Sequence, residues 1–396
     1  MGKNKHWLLP EGIEEVLPPD AARLEQLCRE LLDLLAGWGY ELAMPPLAEF
    51  IEALLSGTGE DLDLQTFKVT DQLSGRLLGI RADMTPQVAR IDAHYLRREV
   101  PTRLCYLGPV LQTLPAGPGG SRVPLQLGAE LYGHAGVESD AEILALCLRT
   151  LQIAGVRNVH LDLGHVGIYR SLTRELRLDA TRESQLFDAL QRKATAEIDT
   201  YIRQWSVPAA LSEPMRALVE LHGGPEVLGQ ARSQLQALGP QALECIDNLE
   251  RVATLAARQV KDAPLFFDLA ELRGYHYHTG MMFSCFVPEA GSGIAFGGRY
   301  DSIGVAFGRE RPATGFSTDV KRLFALGVQR AHRRPCILAP ASELPALQEL
   351  VNTLRSGGET VIALLPGQNG DAADMGCDRE IVLEHGRWVV KPINSR

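Results

Sequence analysis

The sequence lacks the long apolar runs, paired cysteines and positive charge that mark many membrane, disulfide-bonded and nucleic-acid-binding proteins. No uninterrupted apolar stretch approaches the roughly 20 residues that span a bilayer. The seven cysteines are scattered and contain no C-x-x-C pair, so we predict reduced, mostly buried thiols and neither a disulfide framework nor a thiolate zinc site. The formal net charge of −9 argues against a nucleic-acid partner. We therefore expect a cytoplasmic protein that does not bind a membrane.

The patterns that are present predict an α+β fold of more than one domain, as expected for 396 residues. Strand patterns joined by short turns and flanked by helical patterns predict an antiparallel sheet covered by helices. We expect one domain from residues 1–172 and 261–330. Between them, residues 173–260 are rich in Ala, Leu, Gln, Arg and Glu at helical spacing and predict a helical insertion. Residues 334–396 predict a short C-terminal α/β domain.

Two hairpins and two helix starts can be predicted in the first domain. LQTFKVTD and GRLLGIRADMT flank Ser74-Gly75, and LCYLGPVLQT precedes VPLQLGAELYG, so each pair predicts two antiparallel strands. Asp20 is placed as the N-cap of a helix. Ser139, with Glu142 three residues later, has the spacing of a capping box and predicts a second helix start.

Five separated segments resemble one enzyme family when they are taken together and in order. Three of them resemble the signature motifs of class II aminoacyl-tRNA synthetases: GYELAMPPLAE, LCYLGPVLQT with QLGAE, and GFSTDVKRL. Two more, RGYHYHTGMMF and FGGRYDS, resemble the histidine-specific signatures of histidyl-tRNA synthetase. The resemblance covers roughly residues 5–330 apart from the insertion. It implies a class II synthetase-like sheet domain.

The second and third motifs depart from the family where ATP would be held. By the resemblance, Gln112 stands in the place of the arginine that grips the α-phosphate, and Leu114 replaces an acidic residue that reads adenine. The loop 115–121 carries no charge. Losing one preorganised cation typically costs a factor of about 10²–10³ in such a reaction. Arg322 remains from the third motif, so we predict a degenerate nucleotide site, formed by Gln112 and Arg322, and no catalytic residues.

The amino-acid pocket of the family is better preserved. The residues that match its contacts to histidine are Asp83, Thr85, Gln126, Glu130, Arg273 and Tyr277. Glu130 follows Gln126 by four residues in one strand, so both point to the same face. Carboxylates facing an ammonium and a guanidinium facing a carboxylate are what a zwitterion requires. His276 and His278 form an H-x-H pair without an evident third ligand, so we predict no metal and no cofactor.

The sequence thus keeps the histidine-pocket residues of a histidyl-tRNA synthetase but lacks residues needed for its chemistry. In this combination it resembles the family of ATP phosphoribosyltransferase regulatory subunits, which are paralogues of histidyl-tRNA synthetase. The resemblance implies a non-catalytic partner of the short-form catalytic subunit, required for the first step of histidine biosynthesis and for feedback by histidine. It implies a homodimeric core within a hetero-oligomer. The C-terminal unit is shorter than an anticodon-binding domain, so we expect no tRNA partner.

Two other functions remain open from the residues alone. One is a divergent but active histidyl-tRNA synthetase, and the other is an amino-acid-binding module of another complex. Within the favoured function, histidine could act in this pocket or at the contact with the catalytic subunit.

Overall fold

The computed structural model describes residues 7–57, 60–115, 117, 120–260, 265–275, 277–327, 335–372 and 374–393. The chain separates into two compact units, Met1–Gln329 and Arg330–Arg396.

The described residues form strands and helices in both units. The strands are β1 (Glu41–Leu42), β2 (Ala48–Phe50), β3 (Phe67–Thr70), β4 (Leu77–Ile80), β5 (Thr102–Pro109), β6 (Leu125–Tyr132), β7 (His160–His165), β8 (His222–Gly223), β9 (Leu265–Asp268), β10 (Met281–Phe286), β11 (Ala295–Arg299), β12 (Ala313–Asp319), β13 (Cys336–Ala339), β14 (Thr360–Ala363), β15 (Arg379–Glu384) and β16 (Arg387–Pro392). The helices are α1 (Asp20–Gly37), α2 (Ile51–Leu54), α3 (Glu60–Gln65), α4 (Thr85–Arg90), α5 (Val137–Ile153), α6 (Val166–Leu176), α7 (Ala180–Gln191), α8 (Thr195–Gln204), α9 (Ala209–Glu220), α10 (Glu226–Gln234), α11 (Pro240–Gln259), α12 (Val320–Leu326) and α13 (Pro345–Ser356). Short π or 3₁₀ segments cover Ile91–Leu96, Gln236–Leu238 and Asp301–Phe307.

A nine-stranded sheet organises the larger unit, in the order β1-β5-β6-β12-β11-β10-β7-β9-β8. Its central neighbours, from β5 to β7, all pair antiparallel. Parallel pairs occur only towards its two ends, between β1 and β5 and between β7 and β9. The predicted α+β fold, an antiparallel sheet flanked by helices, is therefore confirmed. Both predicted hairpins are present as β3–β4 and β5–β6.

Strand β6 separates the apolar core from the opposite face of the sheet. Leu127, Ala129 and Leu131 are buried in the large core, which also contains much of α5. Because side chains alternate along a strand, Gln126 and Glu130 point the other way. Gln126 and Glu130 therefore share one face of β6, while the other face packs into the core that stabilises the domain.

The predicted helix starts are only partly correct. Helix α1 begins at Asp20, but the cap position is Pro19 and no side chain caps the helix. Helix α5 begins at Val137, and the predicted capping box is wrong. The hydroxyl of Ser139 donates to the carbonyl oxygen of Gly136 at 2.7 Å and accepts from Arg299 at 2.9 Å. Its hydrogen bonds are therefore used to hold an arginine of β11.

The predicted insertion contains the helices α7 to α11, and α6 crosses its first boundary at residue 172. It also contains β8, which pairs antiparallel with β9 at the end of the large sheet. A two-residue strand is too short for a periodic pattern, so the sequence does not predict it.

The smaller unit has a four-stranded sheet in the order β14-β13-β15-β16, covered by α13. Ile337, Leu347 and Val351 are among its buried residues. This agrees with the α/β pattern predicted for the C-terminal segment. All seven cysteines are free thiols, and only Cys28 is not buried.

Candidate functional site

The carboxyl group of Glu130 is the centre of the candidate site. It lies on the polar face of β6 and is only 1% exposed. The hydroxyl of Tyr106 donates to its Oε1 atom at 2.9 Å, and the hydroxyl of Tyr300 donates to its Oε2 atom. A carboxylate placed in a protein interior needs such donors, because unpaired burial of a charge is costly.

Two glycines make room for this group. Gly128 lies two residues before Glu130, and a Cβ atom there would lie 2.2 Å from the hydroxyl oxygen of Tyr106. Gly315 of β12 pairs directly with Glu130, and a Cβ atom there would lie 1.6 Å from the Oε2 atom. Both distances are too short for any side chain. Strands β6 and β12 therefore form the floor of the site. The carboxyl group of Glu130 and the ring of Tyr106 fit against this floor because both positions are glycine.

Burial raises the pKa of Glu130 to about 8, although the hydrogen bonds from Tyr300 and Tyr106 act in the opposite direction. The carboxyl group is therefore mostly protonated at neutral pH in the free protein. Burial also raises the pKa of both tyrosines well above the ordinary value, so their hydroxyls remain donors. A cation placed beside Glu130 would favour its ionised form.

Asp83, Thr85 and Gln126 form a second polar group beside Glu130. The Oδ1 atom of Asp83 accepts hydrogen bonds from the Gln126 side-chain amide at 2.8 Å and from the Thr85 backbone at 2.9 Å. The Oε1 atom of Gln126 accepts from the backbone of Met84 at 2.9 Å. These bonds fix the start of α4 against β6.

Tyr106 connects the two groups. Its hydroxyl oxygen lies 2.8 Å from the Oγ1 atom of Thr85 and 2.9 Å from Glu130. Asp83, Thr85, Gln126 and Glu130, four of the predicted pocket residues, thus belong to one hydrogen-bonded network. We call this set, with Tyr106 and Tyr300, the carboxylate network.

Tyr277 packs against the carboxylate network. Its ring is stacked on that of Tyr300, with centroids 4.9 Å apart. Its hydroxyl oxygen is buried and has no hydrogen-bond partner among the described residues. The neighbouring His278 is neutral, because burial lowers its pKa to about 4. A buried hydroxyl without a partner is what a polar group of a bound ligand would satisfy.

Arg273 is the predicted pocket residue that the structure does not bring to this network. Its guanidinium lies 3.8 Å from the Glu271 carboxylate and 4.9 Å from the centroid of the Phe286 ring. Its side chain is half exposed, at 49%. The predicted contact between this residue and a ligand carboxylate stays a prediction.

A cavity of about 480 Å³ extends from the network over the expected nucleotide site. Asp83 and Gln126 line it at one side, and Gln112, Lys321 and Arg322 contribute to its remaining wall. Asp83 and Gln126 are therefore the network residues that line this cavity, whereas Glu130 is buried and does not line it.

Arg322 lines the cavity, but its guanidinium is hydrogen-bonded to oxygen atoms of the protein. Its Nη1 atom donates to the carbonyl of Gly293 at 2.7 Å. Its Nη2 atom donates to the carbonyls of Ala290 and Ser292, both at 3.0 Å, and to the Ser292 hydroxyl at 2.7 Å. Both terminal nitrogens thus hold the turn before β11. A phosphate could be bound by Arg322 only after these bonds are broken.

Two further basic residues are also engaged: Lys321, which lines the cavity, and Arg122, which follows the cavity residue Ser121. The ammonium of Lys321 lies 3.4 Å from the Glu14 carboxylate and 3.3 Å from the Ser121 hydroxyl. Arg122, at the end of the uncharged loop, donates to the carbonyl of Gln112 at 3.1 Å and packs over the Phe67 ring at 5.2 Å. Residues 116, 118 and 119 of the loop lie outside the described residues. The donor groups that a triphosphate would need are therefore already used within the protein, and Lys321 is also paired with an acidic residue.

The sequence interpretation missed Tyr106 and Tyr300, which supply the hydrogen bonds to Glu130. Tyr300 stands inside the quoted FGGRYDS segment, and Tyr106 inside LCYLGPVLQT. The available signal was the pairing of a bulky residue with a glycine across the β5–β6 hairpin, since Tyr106 pairs with Gly128.

Within the described ranges, no cluster of three or more His, Cys, Asp or Glu residues is arranged to hold a metal ion. His276 of the H-x-H pair lies outside those ranges. The same ranges contain no helix with the length and apolar character needed to cross a bilayer.

The comparisons with known proteins cover nearly the whole chain. Residues 12–323 match the family described as histidyl-tRNA synthetase, and residues 334–391 match the ATP phosphoribosyltransferase subunit HisZ C-terminal domain. An ATP phosphoribosyltransferase regulatory subunit of Thioalkalivibrio sulfidiphilus is 55% identical over 98% of this chain and 99% of its own. A protein of the same name from Alkalilimnicola ehrlichii is 52% identical over 99% and 98% of the two chains.

A solved structure agrees with the fold and the family. It is an ATP phosphoribosyltransferase regulatory subunit/histidyl-tRNA synthetase from Bacillus halodurans, with a TM-score of 0.83 and 26% identity over 95% of this chain and 97% of that one. The chain therefore belongs to the family of ATP phosphoribosyltransferase regulatory subunits, whose larger unit has the histidyl-tRNA synthetase fold.

Proposed function

We propose that this chain associates with a catalytic ATP phosphoribosyltransferase subunit, activates it, and makes its activity respond to histidine bound in the pocket around Glu130. The observation that carries the histidine part is the carboxylate network. This network contains the buried carboxyl group of Glu130 and a second carboxylate at Asp83. The ring of Tyr277 packs against it, and the buried hydroxyl of Tyr277 has no partner among the described residues. We place the complex in the cytoplasm.

The chemistry of the pocket favours a small zwitterion with several N–H donors. Asp83 and Glu130 offer oxygen acceptors at two depths, which suit an ammonium group and a ring N–H. Tyr277 adds a group that can either donate or accept. Arg273 is our candidate for the ligand carboxylate, reached through movement of its half-exposed side chain.

The cavity next to this pocket does not favour adenylate formation. The side-chain amide of Gln112 donates a long hydrogen bond, 3.4 Å, to the carbonyl of Ala82, and it carries no charge. Arg322 is held by carbonyl groups of the turn 290–293. These features support a role in binding and regulation rather than in catalysis.

We also propose a homodimeric core formed through the first-motif segment. Leu42, Met44 and Leu47 are 51%, 83% and 53% exposed in the single chain. Three apolar side chains exposed within six residues are typical of a surface that another subunit covers. Pro45 and Pro46 lie between them and limit the segment to an edge or an interface.

The decisive experiment measures phosphoribosyl transfer by the short catalytic subunit with and without this chain. We expect co-purification of the two chains, activity only in the mixture, and loss of activity on adding histidine. Activity of the catalytic subunit that does not depend on this chain would contradict the proposal.

Two further measurements separate the alternatives. Calorimetry with histidine and with other amino acids tests whether the pocket selects histidine or serves another complex. Histidine-dependent exchange of pyrophosphate into ATP tests for an active synthetase, and we expect none above background.

A further inference from the structure

The segment that carries Tyr277 receives its order from other parts of the protein. Residues 269–279, which we call the pocket segment, connect β9 to β10 without a regular helix or strand in the described part. Its own bonds are those of a turn: the backbone N–H groups of Tyr277 and His278 both donate to Gly274, which has a left-handed φ of 72°. Ordering such a segment costs conformational entropy that outside contacts must offset.

The first turn of α7 holds the pocket segment through Tyr275. The Tyr275 hydroxyl donates to the Oε1 atom of Glu183 at 2.7 Å. Burial raises the pKa of Tyr275 to about 12, so the hydroxyl keeps its proton and remains a donor. The rings of Tyr169 and Phe187 lie 5.0 Å and 6.0 Å from its own. The side chain is thus fixed by packing as well as by its hydrogen bond.

The other end of α7 holds the beginning of the same segment. The ammonium of Lys193, two residues after the helix, lies 2.6 Å from the Oδ1 atom of Asp268. That oxygen also accepts from the backbone of Ala270 at 2.9 Å. The side-chain amide of Gln191 donates to the Ala270 carbonyl at 3.2 Å. Both ends of one helix of the insertion therefore hold the segment.

The pocket segment also contacts the carboxylate network. Tyr277, two residues after Tyr275, stacks on Tyr300, and Tyr300 donates to Glu130. One short segment thus joins α7 to the pocket, with Tyr275 anchored at the helix and Tyr277 placed at the site.

We propose that α7 is the positioning element of the pocket, with Glu183 and Lys193 as positioning residues that hold Tyr277 ready to bind histidine. The inference rests on the proposed function, since it assigns to the insertion a part in the affinity of that same site. If the segment is ordered before histidine binds, binding does not have to offset the entropy cost of ordering it. Loss of Glu183 or Lys193 would therefore weaken binding without removing any contact to the ligand.

Calorimetry with histidine tests this on the full chain. Glu183→Ala and Lys193→Ala should each raise the dissociation constant about tenfold, which corresponds to about 1.4 kcal/mol. Tyr275→Phe removes a single oxygen atom and should have a similar effect, even if the alanine variants fold poorly. Arg192→Ala is the matched control, because Arg192 lies beside Lys193 but pairs with Glu197 at 2.8 Å. It should bind like the unaltered chain.

Hydrogen exchange supplies a second readout. Amides of the pocket segment should exchange faster in Glu183→Ala than in Arg192→Ala, while those of β6 and β12 stay unchanged. Glu183→Gln keeps an acceptor for Tyr275, and Lys193→Arg keeps the ion pair, so both should restore affinity and protection.

The outcomes distinguish the two proposals. If the unaltered chain takes up no histidine, the proposed function fails, and the exchange data alone decide whether α7 orders the segment. If histidine binds but Tyr275→Phe and Lys193→Ala bind it as tightly as Arg192→Ala does, the positioning role is refuted.

Discussion

Replacing Glu130 by glutamine tests the proposed pocket most directly. The change keeps the size of the side chain but removes its ability to become an anion. The amide oxygen can accept from one of the two tyrosines, Tyr106 or Tyr300, and the other tyrosine hydroxyl must accept from the amide nitrogen. Truncating one partner of a buried charge pair commonly costs about 2–5 kcal/mol. Since each 1.4 kcal/mol is about a factor of ten, we expect Glu130→Gln and Glu130→Ala to weaken histidine binding at least tenfold at pH 8.

The pKa of Glu130, raised by burial to about 8, makes this prediction dependent on pH. If the ligand cation binds to the ionised carboxylate, binding releases a proton below pH 8. The ionised fraction of the free protein rises from about one in ten at pH 7 to one half at pH 8. Histidine affinity of the unaltered chain should therefore rise about fivefold between these values, and that of Glu130→Gln should not.

The same raised pKa affects stability. The ordinary pKa of a glutamate is 4.5, so between about pH 4.5 and 8 the folded protein keeps a proton that the unfolded chain has lost. The free energy of unfolding therefore falls as pH rises through this range, and the fall ends above the folded-state pKa. The glutamine of Glu130→Gln does not titrate, so its free energy of unfolding should not fall in this way. Measured by urea titration, the stability of Glu130→Gln relative to the unaltered chain should therefore increase as pH rises towards 8.

Glu142→Gln provides the matched control. Glu142 also accepts a tyrosine hydroxyl bond, from Tyr40, and is paired with Arg103, but it lies outside the carboxylate network. It should leave histidine affinity unchanged at both pH values. The reasoning is refuted if Glu130→Gln, Glu142→Gln and the unaltered chain bind histidine with equal affinity at pH 8, and if the affinity of the unaltered chain does not rise between pH 7 and pH 8. Glu130 would then not face the ligand.

Three further predictions follow from contacts elsewhere in the larger unit. Gln112→Arg should not produce histidine-dependent pyrophosphate exchange, because Arg322 remains bound to the turn 290–293; exchange at ordinary synthetase rates would contradict this. Leu47→Asp should shift sedimentation towards monomer, since a two-fold interface places the added charge on both subunits; an unchanged dimer would point to another interface. Asp92→Ala should lower the free energy of unfolding by about 3–5 kcal/mol, because it leaves Arg311, now paired at 2.9 Å, buried without its partner. Arg98→Ala, which removes an exposed pair with Glu41, should leave the urea midpoint unchanged by comparison.

The sequence predicted those parts of the fold and site that depend on local pattern. Alternation along β6 was enough to place Gln126 and Glu130 on one face, and the turn at Ser74-Gly75 was enough to predict the β3–β4 hairpin. The order of five short segments was enough to predict the class of the sheet. Each of these signals lies within a few residues or follows the order of the chain.

The missed features depend on contacts between distant segments. No local pattern indicates that β12 places Gly315 opposite Glu130, or that Tyr300 reaches Glu130 from 170 positions away. Arg322 has the residue type expected of a nucleotide site, and only the folded chain reveals that its donors are bound to carbonyl groups. The family resemblance places Arg273 in the pocket, and this stays a prediction. The contacts that Arg273 makes with Glu271 and Phe286 are a separate finding that the sequence does not give.

The two glycines beneath the pocket limit how its chemistry can change during evolution. At Gly128 or Gly315, even a methyl group would force Tyr106 or Glu130 to move, so a substitution at either position disturbs the carboxylate network. Substitution of either glycine is therefore disruptive. Gradual changes in the ligand preference of the proposed pocket are expected instead at residues around these two strands. These residues include Asp83, which lies just before α4, and the pocket segment, neither of which belongs to a strand. Under the proposed function, a change of effector in a chain that keeps both glycines is therefore expected from substitutions in these loops.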